Sequence, residues 1–208
     1  MSWTSGVGRA CGVLLDAIVR LLALSRINPN LLTLMGLVVN TYAAFLFGYA
    51  NGDNRRRMFF YAGLVIIGSG FFDLVDGRVA RLSNQVTRFG GFFDSIVDRY
   101  SDASLFFGLL VFYARGNRFF YVVLAALAMI SAIMVSYARA RAESLIGTCR
   151  VGFMERPERL VLLIIGALFD VMAPVMWVIA VLSTITVIHR VIYTWQRTTE
   201  MDTPARAA

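Results

Sequence analysis

Two pairs of aspartates stand in a chain otherwise suited to lipid. Asp73 and Asp76 are three residues apart and Asp94 and Asp98 four apart, all within FDLVDGRVARLSNQVTRFGGFFDSIVDRY, from Phe72 to Tyr100. On helical flanks each pair projects from one helix face. Ionisable groups are costly inside a membrane, and four neighbouring carboxylates repel one another unless a cation neutralises them. The simplest fold that meets this demand sets two helices side by side with a metal between them. Carboxylate oxygens suit Mg²⁺ or Mn²⁺ rather than zinc, which prefers cysteine and histidine.

The remaining composition agrees with a membrane setting. Of 208 residues, 58% are hydrophobic, and the mean hydropathy of +0.68 is too high for an ordinary soluble domain. All twenty basic residues are arginine and the formal charge is +7. They are spread between apolar runs, which points to anionic lipid and away from nucleic acid. Cys11 and Cys149 lack metal-ligand spacing and imply no disulfide framework, and His189 is expected near a helix end. The N-terminal apolar run is interrupted by Asp16 and Arg20 and has no clean cleavage site, so it is not read as a signal peptide. Its helical periodicity predicts an amphipathic juxtamembrane helix over 1–27, lying on the membrane surface.

Asn28-Pro29-Asn30 breaks that helix and starts the next. Apolar spans follow over Leu31–Tyr49, Met58–Val75 (continuing into a polar stretch from Gly77 to Arg88), Phe89–Tyr113 and Phe119–Tyr137. A basic connection from Arg139 to Arg159 leads to a short span, Leu160–Met172, and to a last one, Pro174–Ile192. The expected fold class is an all-α integral membrane protein of about six transmembrane helices plus the N-terminal interfacial helix. It is read as one membrane-embedded domain over 1–208, with the bundle over 31–195 and no internal repeat. Most arginines fall on the side that carries the aspartates, which places that side in the cytoplasm; the cluster Arg55, Arg56 and Arg57 falls on the other.

The spacing carries more than the charge. The residues Asp73, Asp76, Gly77, Ala80, Arg81, Gly90, Asp94 and Asp98 spell D-x2-D-G-x2-A-R-x8-G-x3-D-x3-D. This pattern resembles that of the CDP-alcohol phosphotransferase family, membrane enzymes of phospholipid synthesis, at all eight positions. The resemblance implies transfer of a phosphatidyl group from CDP-diacylglycerol to an alcohol with release of CMP. It implies two divalent ions, Mg²⁺ or Mn²⁺, on Asp73, Asp76, Asp94 and Asp98, with Asp98 as general base for the incoming hydroxyl. Two metals bridging a diphosphate stabilise both the attacking and the leaving oxygen. The donor-binding set it implies is Asn30, Thr33, Asp76, Gly77, Ala80, Arg81 and Thr87, with Asn30 standing where the family commonly has aspartate. Gly77 leaves room for a nucleotide against the backbone, Ala80 keeps that face shallow, and Arg81 forks onto phosphate oxygens. A multi-pass homodimer in the cell membrane, its active site facing the cytoplasm, completes the expectation.

Two further segments bear on the acceptor. Residues from Ser136 to Glu143 (SYARARAE) and from Gly152 to Arg159 (GFMERPER) resemble segments of actinobacterial phosphatidylinositol-phosphate synthases, with Arg139 in place of the usual lysine. In that subgroup cations there and near the end of the last span hold the phosphate of inositol phosphate; the matching positions are Arg139, Arg156 or Arg159, and Arg190. Each could instead serve lipid headgroups, with Glu143, Glu155 and Glu158 neutralising neighbours. The preferred acceptor is inositol 1-phosphate, followed by glycerol 3-phosphate and by free inositol. An ion-coupled transporter is the reading from another class, disfavoured because a carrier needs neither the glycine–alanine–arginine part of the pattern nor this spacing.

Overall fold

Six helices account for most of the residues that the computed structural model describes, 28–83 and 85–206 without the side chains of Asp76 and of 203–206. They are α1 (Pro29–Tyr49), α2 (Arg55–Leu82), α3 (Arg88–Arg115), α4 (Phe119–Ile146), α5 (Arg156–Leu168) and α6 (Met172–Arg206). No strand occurs among the described residues. The expected surface helix over 1–27 lies outside them.

Local chemistry sets the helix starts and stops. The Asn28 side chain accepts the Asn30 N–H at 3.0 Å, ahead of Pro29 in the first turn. Thr87 caps α3 in the same way, its Oγ1 accepting the Gly90 N–H at 2.9 Å. Helix α2 runs unbroken through the first half of the aspartate pattern, because one glycine costs a helix only about 1 kcal/mol. Helix α4 continues well past Tyr137, where its end was expected: the Ala-Arg alternation after it favours helix, and Gly147 at φ 79° ends it. The basic connection therefore shrinks to 147–155. Helix α6 starts two residues before Pro174, which sits in its first turn, and continues past Ile192 to Arg206. His189 consequently lies inside a helix and not near its end.

Among the described residues four helices, α1, α2, α4 and α6, are long and apolar enough to cross a membrane. Helix α3 carries Asp94, Asp98, Arg99 and Asp102, and α5, at 13 residues, reaches only about 20 Å. Exposed Val38, Phe45, Phe107, Leu127 and Ile185 form part of an outward apolar belt suited to lipid.

Each helix packs mainly on two others, in the cyclic order α1–α2–α5–α6–α4–α3 and back to α1. Phe47, Phe59, Ile66, Leu105, Leu109, Ala128, Leu163, Met176 and Ile179 fill the ring. Helices α1 and α3 approach closely: a Cβ on Gly108 would stand 2.2 Å from the Ala44 carbonyl oxygen. Alternating chain direction collects the starts of α1, α3 and α5 and the ends of α2, α4 and α6 at one end of the ring. The functional candidates gather there.

Candidate active site

Helices α2 and α3 deliver acids to that end, and α5 delivers a cation between them. The guanidinium of Arg156 donates from Nη1 to Asp73 Oδ2 at 2.7 Å and to Asp98 Oδ1 at 3.0 Å, and its Nε lies 3.6 Å from Asp102 Oδ1. Asp94, one turn before Asp98, is exposed on the same helix. The start of α1 meets the start of α3: a Cβ on Gly90 would touch Thr87 Oγ1 at 3.0 Å and Asn30 Oδ1 at 3.4 Å. This contact brings Asn30 and Thr87 together. Thr33 is buried, its hydroxyl bonded to the Pro29 carbonyl at 3.2 Å. Along α2, a Cβ on Gly77 would meet, among the described residues, only Arg81 Nη2, at 3.8 Å. The surface over Gly77, Ala80 and exposed Arg81 is thus open to a ligand.

Among the described residues no group of three or more acids, histidines or cysteines is placed to hold a metal ion. The donor set nonetheless fits a hard divalent ion, being wholly carboxylate oxygen. Asp73 and Asp98 already converge on one cationic nitrogen, so a positive charge is stable at their meeting point.

Beside Asp98 opens a cavity of about 140 Å³, lined by Asp98, Arg99, Asp102, Ser136, Arg139, Glu155, Arg156 and Arg190. Three of the four arginines expected to serve the acceptor thus line one pocket. Arg190 is buried and donates to the carbonyls of Val151 (2.8 Å) and Val135 (2.6 Å) and to Glu155 (2.7 Å). Arg139 donates to the same Glu155 carboxylate at 3.0 Å and to Glu143 at 3.0 Å. The 147–155 connection is pinned on α6 by the Met154 N–H, which donates to Thr186 Oγ1 at 3.1 Å. Gly152 makes this possible: at φ 103° it has a conformation that side chains avoid, and a Cβ there would stand 2.5 Å from Thr186 Cγ2.

Arg159 does not line the pocket. Its side chain is 1% exposed and donates to Asp102 Oδ2 at 2.5 Å and to the Met154 carbonyl at 3.2 Å. Removing one partner of such a buried pair costs about 3–5 kcal/mol, because the other charge is left uncompensated. Sequence reasoning singled out neither Asp102 nor Ser136. The available signal for Asp102 was its spacing, one helical turn beyond Asp98 and two beyond Asp94.

The comparisons with known proteins fit this geometry. The family model for CDP-alcohol phosphatidyltransferase matches residues 26–195. The chain belongs to that family. The transporter reading falls with this finding. Among relatives, the archaetidylinositol phosphate synthase of Pyrococcus horikoshii is 38% identical over 178 residues, covering 85% of this chain and 88% of its own. The phosphatidylinositol phosphate synthase of Streptomyces avermitilis is 32% identical over 195 residues, covering 87% and 78%. The fold matches the crystal structure of Mycobacterium tuberculosis phosphatidylinositol phosphate synthase with CDP-DAG bound, at TM-score 0.77 and 30% identity over 87% of this chain and 93% of that one. The same enzyme has been solved with manganese and citrate. This chain is accordingly an enzyme of a membrane phosphotransferase family.

Proposed function

We propose that this enzyme moves a phosphatidyl group from CDP-diacylglycerol to inositol 1-phosphate, giving phosphatidylinositol phosphate and CMP. The observation that carries the reading is the pocket beside Asp98, where Arg139, Arg156 and Arg190 surround a space lined by the proposed base. Guanidinium groups fork onto phosphate oxygens, so such a pocket selects an acceptor that bears its own phosphate. The relatives' names share inositol phosphate as product headgroup although their lipid parts differ, archaetidyl in one and phosphatidyl in the other.

In this reading Asp98 takes the proton of the acceptor hydroxyl as its oxygen attacks the lipid-side phosphorus of the diphosphate. A new P–O bond forms, the P–O bond to CMP breaks, and CMP leaves with the electron pair. Asn30, Thr33, Gly77, Ala80, Arg81 and Thr87 hold the CDP portion. Arg139, Arg156 and Arg190 orient the acceptor through its phosphate, and Arg159 supports them from behind. Asp73, Asp76, Asp94 and Asp98 would hold two Mg²⁺ or Mn²⁺ ions, which supply charge stabilisation at the diphosphate. The protein works as a single-domain homodimer in the cell membrane, its pocket open to the cytoplasm where both water-soluble reactants reside.

The test supplies purified protein with CDP-diacylglycerol, Mg²⁺ and one acceptor at a time, and follows CMP release. Turnover with inositol 1-phosphate, lost under chelation and restored by Mg²⁺ or Mn²⁺, is the expected result. Turnover only with glycerol 3-phosphate, or only with free inositol, overturns the acceptor assignment.

A further inference from the structure

Arg156 holds three carboxylates at once, and two of them belong to the proposed metal site. A divalent ion on Asp73 and Asp98 competes with the guanidinium for the same oxygens, since both are cations drawn to one place. Only Asp102 is left to Arg156 once the ions arrive. It is 7% exposed by side chain, stands one helical turn beyond Asp98, and its Oδ1 lies 3.6 Å from Arg156 Nε. Both of those atoms are buried and have no hydrogen-bond partner. A small inward movement of Arg156 would satisfy the two together. Arg159, wholly buried, holds the other oxygen of Asp102 at 2.5 Å and fixes that carboxylate in place.

We infer that Asp102 is the positioning residue that retains Arg156 at the acceptor pocket when divalent ions take Asp73 and Asp98. Asp102 lies in the pocket wall, but both of its oxygens face arginines, Oδ1 towards Arg156 and Oδ2 on Arg159. It acts through Arg156, drawing one arginine off the metal site and onto the acceptor, so that metal loading and acceptor recognition are linked through a single side chain. The inference rests on the proposed reaction for the identity of the acceptor, but not for the competition between Arg156 and the ions.

The experiment has a binding arm and a kinetic arm. Mn²⁺ binding to purified protein in the presence of CDP is titrated by electron paramagnetic resonance for wild type, Asp102→Asn, Asp102→Asn/Arg159→Met, Arg156→Ala and Arg156→Ala combined with each of the two Asp102 variants. The double variant removes both buried charges, so an answer remains if Asp102→Asn alone does not fold. Without Asp102, Arg156 rests wholly on Asp73 and Asp98, and Mn²⁺ binding weakens about threefold or more. In an Arg156→Ala background the same removal of Asp102 leaves Mn²⁺ binding unchanged. In steady-state assays the double variant raises the KM for inositol 1-phosphate about tenfold while the KM for CDP-diacylglycerol moves by less than about twofold. Unchanged Mn²⁺ affinity in the double variant, an equal change in the Arg156→Ala background, or equal shifts in both KM values overturns the inference. Wild-type turnover confined to another acceptor would sink the proposed function and leave the Mn²⁺ arm standing. A flat Mn²⁺ arm with normal inositol phosphate turnover would sink only the role of Asp102.

Discussion

The two halves of the cavity carry opposite charge and are steadied from the same short stretch of chain. On one side α2 and α3, consecutive helices, present Asp73 and Asp98, and the cation between them is Arg156. On the other side α4 and α6 present Arg139 and Arg190, and the carboxylate between them is Glu155. Adjacent residues thus serve opposite partners. The joint between them is fixed by the bond of Met154 to Thr186 and by the backbone of Gly152 lying against α6. In the proposed reaction the distance from donor to acceptor is set at this joint rather than within either half, and proximity of the reacting groups depends on it.

The sharpest way to break this comparison is Asp98→Asn, which touches the acid half alone. CMP release should fall by a factor of about a hundred or more, with CDP binding by calorimetry preserved; turnover close to wild type would remove Asp98 from the chemistry. Arg190→Ala touches the cationic half. Loss of its charged hydrogen bonds, each worth about 1.5–3 kcal/mol, should raise the acceptor KM ten- to a hundredfold and leave the donor KM in place. Equal effects on both would show that the halves are not separable. Gly152→Ala strikes the joint: the strained backbone should cost about 1–2 kcal/mol of stability in a thermal unfolding assay. Acceptor KM and kcat should worsen together, and wild-type kinetics would show that the joint does not set the geometry. Arg55→Ala is the control. Its half-exposed pair with Asp170, at the far end of the ring, contributes less than about 1 kcal/mol, and turnover should not change.

The acid half was legible from sequence because its parts are neighbours in the chain. Asp73 and Asp98 sit on consecutive antiparallel helices, and Asn28 and Pro29 mark the start of α1; the cap that Thr87 gives α3 came only with the structure. The other half was legible only in outline. Arg139, Arg156 and Arg190 were expected together, but nothing local separates Arg156, which faces the cavity, from Arg159, one turn further on and turned into the bundle. That difference depends on Asp102 of α3 lying behind α5. The bridging role of Glu155 was visible only as one neutralising partner among several. The ends of α4 and α6 were placed too early for a related reason: apolarity falls off near Tyr137 and Ile192, whereas backbone hydrogen bonding does not.

The cyclic packing order has a consequence for how the enzyme is made. Helix α1 packs on both α2 and α3, and the ring closes through α6, which lies between α4 and α5. Synthesis proceeds from the N-terminus, so the wall that carries Arg190 is the last to be installed. A chain stopped before residue 172 carries the acid-bearing helices α2 and α3 and lacks the helix of Arg190. In the proposed reaction such a fragment has no Arg190 to hold the acceptor. Competence arrives with the final helix.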